Sequence, residues 1–156
     1  MSASILLHAT AVAIEGQAVL LGGPSGSGKS DLALRLIDAG GRLVADDQSQ
    51  LSRRGDVLIV RAPATIVGLI EARGLGILRL DALGEAPVAL IAELVPADRI
   101  ERMPPRRTRA ILGIAVPLIE IAPFEASAAA KLRLALRALA TPSKDDDSRF
   151  PALLPE

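Results

Sequence analysis

The chain has 156 residues, 18 of them basic and 18 acidic, and no cysteine. Balanced charge gives no electrostatic case for nucleic acid or an anionic membrane surface as partner. The lack of cysteine excludes disulfides, thiolate chemistry and cysteine-ligated zinc, and suits a reducing cytoplasm. Half of the residues are apolar, but only Phe124 and Phe150 are aromatic, so the core must be built from packed aliphatic side chains, as in α/β layers.

In chain order, residues 4–14 and 17–21 predict two strands joined by a tight turn at Glu15-Gly16. The first stretch has no basic lead-in and is too short to span a bilayer, so a buried strand is expected. A glycine-rich loop follows at 22–28. Residues 30–39 carry Leu32, Ala33, Leu36 and Ile37 at helical spacing, and Gly40-Gly41 can end that helix at positive φ. Arg42–Ala45 is a further short apolar run that stops at Asp46-Asp47. Strand, loop, helix, strand is the order of a parallel βαβ unit.

Beyond it, apolar runs at 57–60, 88–94 and 111–114 alternate with Gly and Pro, as in a mixed sheet. Residues 69–80 contain Glu71-Ala72-Arg73-Gly74-Leu75-Gly76, a polar and flexible patch amid apolar residues. A closing helix is predicted at 128–140, and 141–156, rich in Pro and charge, reads as a mobile tail. One domain over 1–140 is therefore expected.

The segment Gly23-Pro24-Ser25-Gly26-Ser27-Gly28-Lys29-Ser30 matches the phosphate-loop pattern in full. Each fixed position has a physical task. Glycines let successive backbone N–H groups turn inward around phosphate oxygens, and the following helix offers its free N–H groups and positive dipole end. Lys29 can reach the β- and γ-phosphates, and the Ser30 hydroxyl can ligate Mg²⁺. A chance match lacks this setting of apolar strand before and amphipathic helix after.

Asp46-Asp47 closes the strand that follows the helix, at the carboxyl end where open parallel sheets bind ligands. One carboxylate can serve Mg²⁺ and the other can take a proton from an attacking hydroxyl; the alternative is a solvated Asp-rich turn. His8, the one histidine, lies in an apolar run and by itself reads more readily as a packed, satisfied residue than as a catalytic one. Glu71 can add a metal-ligating carboxylate and Arg73 can neutralise phosphate, or the two can form a surface pair. Arg99, Arg102, Arg106, Arg107 and Arg109 surround Pro104-Pro105. That basic stretch is either a solvated surface or a dock for phosphate or an acidic substrate.

These residues resemble a known family. His8, the phosphate loop, residues 43–47 and Glu71-Ala72-Arg73-Gly74-Leu75-Gly76-Ile77 are similar to the catalytic domain of HPr kinase/phosphorylase, in the short form found in α-proteobacteria. The last segment is close to the family's Glu-Ile-Arg-Gly-Leu-Gly signature, and the likeness extends from His8 to Ile121. The resemblance implies an α/β P-loop kinase domain with a mixed sheet, related to phosphoenolpyruvate carboxykinase. It implies a cytoplasmic, Mg-ATP-dependent protein serine kinase acting on the phosphocarrier HPr, and a homo-oligomer such as a hexamer. It marks His8, Lys29 and Asp47 as catalytic, with Asp46 beside them, Ser30 and Glu71 as magnesium ligands, and Arg99 as a later catalytic arginine.

Two departures stand out. Members usually carry an additional N-terminal domain, which this sequence does not display. They also carry a basic segment tied to dephosphorylation after a Val-Pro run, whereas Val116-Pro117 here leads to Ile121-Ala122-Pro123-Phe124-Glu125-Ala126-Ser127, without Arg or Lys. Weak or absent phosphorylase activity is expected. The rival readings are a small-molecule kinase, with 99–109 as its lid, and an ATP-sensing module that transfers nothing.

Overall fold

A computed structural model describes residues 3–140; the tail expected at 141–156 lies outside the described residues. The elements are β1 (Ser4–Leu7), β2 (Ala9–Ile14), β3 (Gln17–Gly22), α1 (Lys29–Asp38), β4 (Arg42–Ala45), β5 (Ser49–Arg54) and β6 (Val57–Arg61). The chain continues with β7 (Leu69–Ala72), β8 (Gly76–Arg79), β9 (Ala86–Leu94), β10 (Arg107–Ile111), β11 (Ile114–Ile121) and α2 (Ala128–Ala140). The architecture is α/β, with a large mixed sheet and two helices, as expected.

The main sheet runs β1-β5-β6-β9-β3-β2-β4, and the β10–β11 hairpin joins it through β9. β9 is its axis. It runs parallel to β3 on one side and parallel to β11 along its last residues, while its first two residues pair with β6. Strands β3 and β9 are buried on both faces, and side-chain alternation sends neighbours to opposite cores. Leu21 and Leu90 pack with Leu32 and Leu36 of α1 and Leu132 of α2. Leu20 and Ile91 face the other way, against Leu51, Leu58 and Val116.

The expected βαβ unit is present with one difference. β2 pairs antiparallel with both β3 and β4, so β4 runs parallel to β3 but one strand away. The tight β2–β3 hairpin explains this, because it occupies the edge of β3 before α1 returns. Glu15 and Gly16 form its turn at φ 52 and 80, the paired positive values that suit the twist of a two-residue hairpin.

Three expectations are corrected. Residues 4–14 are not one strand: the ladder breaks at His8, where β1 pairs with β5 and β2 with β4. The run 111–114 is not a strand but the turn between β10 and β11, with Leu112 and Gly113 at φ 50 and 81. The patch expected at 71–76 lies in a hairpin, β7–β8, anchored by the fully buried Ile70. Its polar tip hid a strand pair whose apolar side chains pack under α1.

Among the described residues no helix is long and apolar enough to cross a membrane. Glu85 accepts hydrogen bonds from Arg54 and Arg61, and the bond from Arg54 holds its carboxyl below the ordinary carboxylate range. Exposed pairs of this kind add little to stability, so the fold rests on its two apolar faces. Leu90, wholly inaccessible at the centre of β9, tests this: Leu90→Ala should lower the unfolding free energy by about 2–5 kcal/mol, read as a shift of the urea midpoint.

Candidate active site

The phosphate loop leaves β3 at Gly22 and closes on itself through Ser27 N–H to the Pro24 carbonyl, 3.1 Å. Pro24, Ser25 and Gly26 form its exposed outer arc. Gly28 caps α1 at φ 104, a left-handed conformation that a side chain would strain. Lys29 opens the helix and is only 5% exposed. A buried ammonium must be hydrogen-bonded, and its Nζ donates to the carbonyls of Gly23 at 2.7 Å and Pro24 at 3.1 Å. That draws the charge across the loop's mouth. The buried Ser27 Oγ has no hydrogen-bond partner among the described residues, a free donor within the loop.

The two aspartates have different surroundings. Asp46 Oδ1 accepts from Ser30 Oγ at 2.8 Å and from Thr10 Oγ1 at 3.2 Å. Its Oδ2 accepts from the backbone N–H of Glu71 at 3.0 Å. One carboxylate thus joins β2, α1 and β7. Asp47 sits at φ 67, at the centre of a three-residue turn closed by Gln48 N–H to the Asp46 carbonyl at 2.7 Å. The Thr10 hydroxyl accepts its N–H at 3.0 Å. Backbone held in a sparsely populated region by surrounding contacts is a mark of functional sites.

The Asp47 side chain is about half exposed, and His8 Nε2 lies 2.6 Å from its Oδ1. An ionised carboxylate can only accept, so the proton of that bond sits on Nε2. His8 reaches Asp47 because it occupies the break between β1 and β2, while Asp46 to Gln48 bridge β4 and β5. Ser49 Oγ, fully buried, donates to the Ala9 carbonyl at 2.9 Å and pins the two breaks together.

A cleft of about 520 Å³ opens over these groups. One part is lined by Ser25, Gly26, Gly28, Lys29 and Ser30, another by Asp46, Asp47, Glu71 and Arg73, and the remainder by Asp31, Leu34 and Phe124. The fold therefore gathers the phosphate loop, both acids and the hairpin tip at one place, with His8 bonded to Asp47 at its margin. Arg99 is not among the lining residues. It sits in a 3-10 turn after β9 and pairs with Glu120 at 3.5 Å. Arg107 pairs with Glu101 and Glu120, and Arg109 with Glu93 at 2.6 Å. Glutamates thus pair with Arg99, Arg107 and Arg109 of the basic stretch.

Residues 1–132 match the family described as the HPr serine kinase C-terminal domain. The chain belongs to that family. Among curated relatives, the HPr kinase/phosphorylase of Chlorobium phaeobacteroides is 34% identical over 126 residues, covering 73% of this chain and 37% of that protein. The HPr kinase/phosphorylase of Burkholderia lata is 39% identical over 126 residues, covering 74% and 39%. The chain spans less than two fifths of the length of these curated relatives. A solved structure, the HPr(Ser) kinase/phosphatase from Coxiella burnetii, aligns with a TM-score of 0.72 at 31% identity over 87% of this chain and 88% of that one.

Within this domain, sequence reasoning missed Thr10, Leu34 and Phe124. Thr10 had one signal, a lone hydroxyl in an otherwise apolar strand; it is fully buried and serves both aspartates. Removing that hydroxyl leaves the Asp47 N–H without its acceptor, at a cost of about 1–3 kcal/mol. Thr10→Val should lose that much in chemical denaturation, whereas Thr10→Ser should retain most of the stability.

Proposed function

We propose that this chain is the catalytic part of an ATP-dependent protein kinase that phosphorylates a serine of the phosphocarrier HPr. One observation carries the reading: beside a complete phosphate loop stands a carboxylate, Asp47, that is half exposed and bonded to a single side chain, His8. A nucleotide sensor has no use for a solvent-facing base at that spot. A small-molecule kinase calls for a lid over its acceptor, and the basic stretch meant for that task is largely paired with glutamates. The names of the curated relatives and of the Coxiella burnetii structure support HPr as the substrate.

In the proposed reaction the loop N–H groups and the Lys29 ammonium bind the β- and γ-phosphates and neutralise charge as it develops. The acceptor serine Oγ attacks the γ-phosphorus while the bond to the ADP oxygen breaks. Asp47 accepts the serine proton. His8 occupies Oδ1 and so turns Oδ2 toward the acceptor. Asp46 cannot share that task, because its two oxygens accept three hydrogen bonds; it orients Ser30 and the hairpin instead. Lys29 must exchange its carbonyl partners for phosphate oxygens.

The donor set fits magnesium, a hard cation that takes oxygen ligands and keeps several waters. Ser30 and Glu71 would hold it, with Asp46 behind Ser30. Among the described residues no three His, Cys, Asp or Glu side chains converge to bind a metal by themselves, as suits an ion completed by phosphate oxygens and water. When bound, it supplies further neutralisation of phosphate charge.

The test is transfer of label from [γ-³²P]ATP to HPr. Asp47→Asn keeps the shape of the side chain but not its basicity, so ATP affinity should hold while transfer falls about 10²-fold or more. Near-normal turnover in Asp47→Asn with loss in Asp46→Asn would reverse the two assignments.

We also propose that phosphorolysis is weak. Attack of orthophosphate on phosphoserine brings two anions to one centre, and cations must offset that repulsion. The segment with no Arg or Lys places Phe124 at the cleft, and Arg107 is engaged by Glu101 and Glu120. With serine-phosphorylated HPr, millimolar orthophosphate and Mg²⁺, pyrophosphate release should run well below the forward kinase rate; comparable rates would overturn this.

A further inference from the structure

We propose that Phe124 is the base platform of the nucleotide site, stacking its open face on the purine of the nucleotide whose phosphates the glycine loop holds. The inference rests on the nucleotide-binding reading above. Phe124 is the sole aromatic among the described residues and is 73% exposed. A ring left so open toward a cleft is an invitation to a flat apolar partner.

The ring is built in place. Gly28, the last glycine of the phosphate loop, lies so close that a Cβ there would stand 2.9 Å from the Phe124 ring edge. Pro123 before it is buried. On either side of Phe124, the carbonyls of Pro123 and Glu125 accept hydrogen bonds from Arg35 of α1, and Asp31 holds that guanidinium from one turn back at 2.9 Å. The helix that carries the phosphate loop thus also fixes the backbone under the ring. Lys131 of α2 pairs with Glu125 at 3.2 Å and braces the same segment.

The cleft leaves few choices for the base. Phosphates occupy the loop, and the γ end must face Asp47 for the acceptor to meet it. The base must then leave the loop away from the acidic pair. The wall that remains is Asp31, Leu34 and Phe124: an aliphatic and an aromatic side chain beside one carboxylate already engaged by Arg35. Stacking on such a face is worth about tenfold or more in affinity per base, by alanine substitution of comparable platforms.

The experiment compares ADP with inorganic tripolyphosphate, which has the anionic chain but no base, each titrated with Mg²⁺ by calorimetry. F124A should weaken ADP binding about tenfold and leave tripolyphosphate binding unchanged, with the circular dichroism of the unaltered protein. F124W should restore ADP affinity. Because the chain has no Trp of its own, its fluorescence should respond to ADP and stay constant with tripolyphosphate. Unchanged ADP affinity in F124A overturns the proposal, as does equal loss of both ligands, which would make the ring a prop for Gly28. An F124A variant that binds ADP normally but has a raised KM for HPr would assign the ring to the protein substrate instead. If the unaltered protein binds neither ligand, the phosphate-loop reading falls and this one with it.

Discussion

The site depends on two antiparallel ladders that break at the same level. β1 pairs with β5 and β2 with β4, so the chain steps sideways once at His8 and once between Asp46 and Gln48. Each step interrupts the backbone pairing of its strand. Facing each other, they exchange side-chain hydrogen bonds for the ladder bonds they lack: Thr10 to both aspartates, Ser49 to Ala9, His8 to Asp47. The break in the sheet and the acid–histidine pair are one feature. It explains why an aspartate tolerates φ 67 in the midst of well-formed strands.

From that junction the Asp46 carboxylate extends order outward. Its three donors belong to β2, to the first turn of α1 and to β7, so the phosphate loop and the signature hairpin are tied to a single group. Charge-assisted hydrogen bonds of this kind are stronger than neutral ones. The division between two neighbouring acids follows directly. One accepts three hydrogen bonds, the other is half exposed and bonded to one side chain. Two adjacent residues of the same type thus have different surroundings because one points into a network and its neighbour, past a tight turn, points out of it.

The other end of the cleft is organised by α1. Arg35 reaches from the helix to the backbone around Phe124, and Gly28 gives the ring room. Phosphate loop, acids and aromatic wall are all referred to one ten-residue helix, whose buried side chains Leu32, Ala33 and Leu36 seat it on the sheet. Small displacements of α1 would therefore move all three parts together.

Local patterns in the sequence determined a good deal. The phosphate loop, both helices, the β2–β3 turn, the acidic pair and the Glu71 to Ile77 segment are each legible within about a dozen residues, because glycine at positive φ, helical spacing and turn chemistry act over that range. Tertiary structure alone decided the rest. Polar strands such as β5 and β10 show no apolar alternation, since one of their faces or ends meets water. The break at His8 depends on partners about forty residues away. That Asp46 rather than Asp47 is saturated, that Thr10 serves both, and that Arg99 lies against Glu120 outside the cleft lining are facts of which strands lie side by side. Strand order is set by the burial of β3 and β9 between two apolar layers, a property of the whole chain that no short window of residues contains.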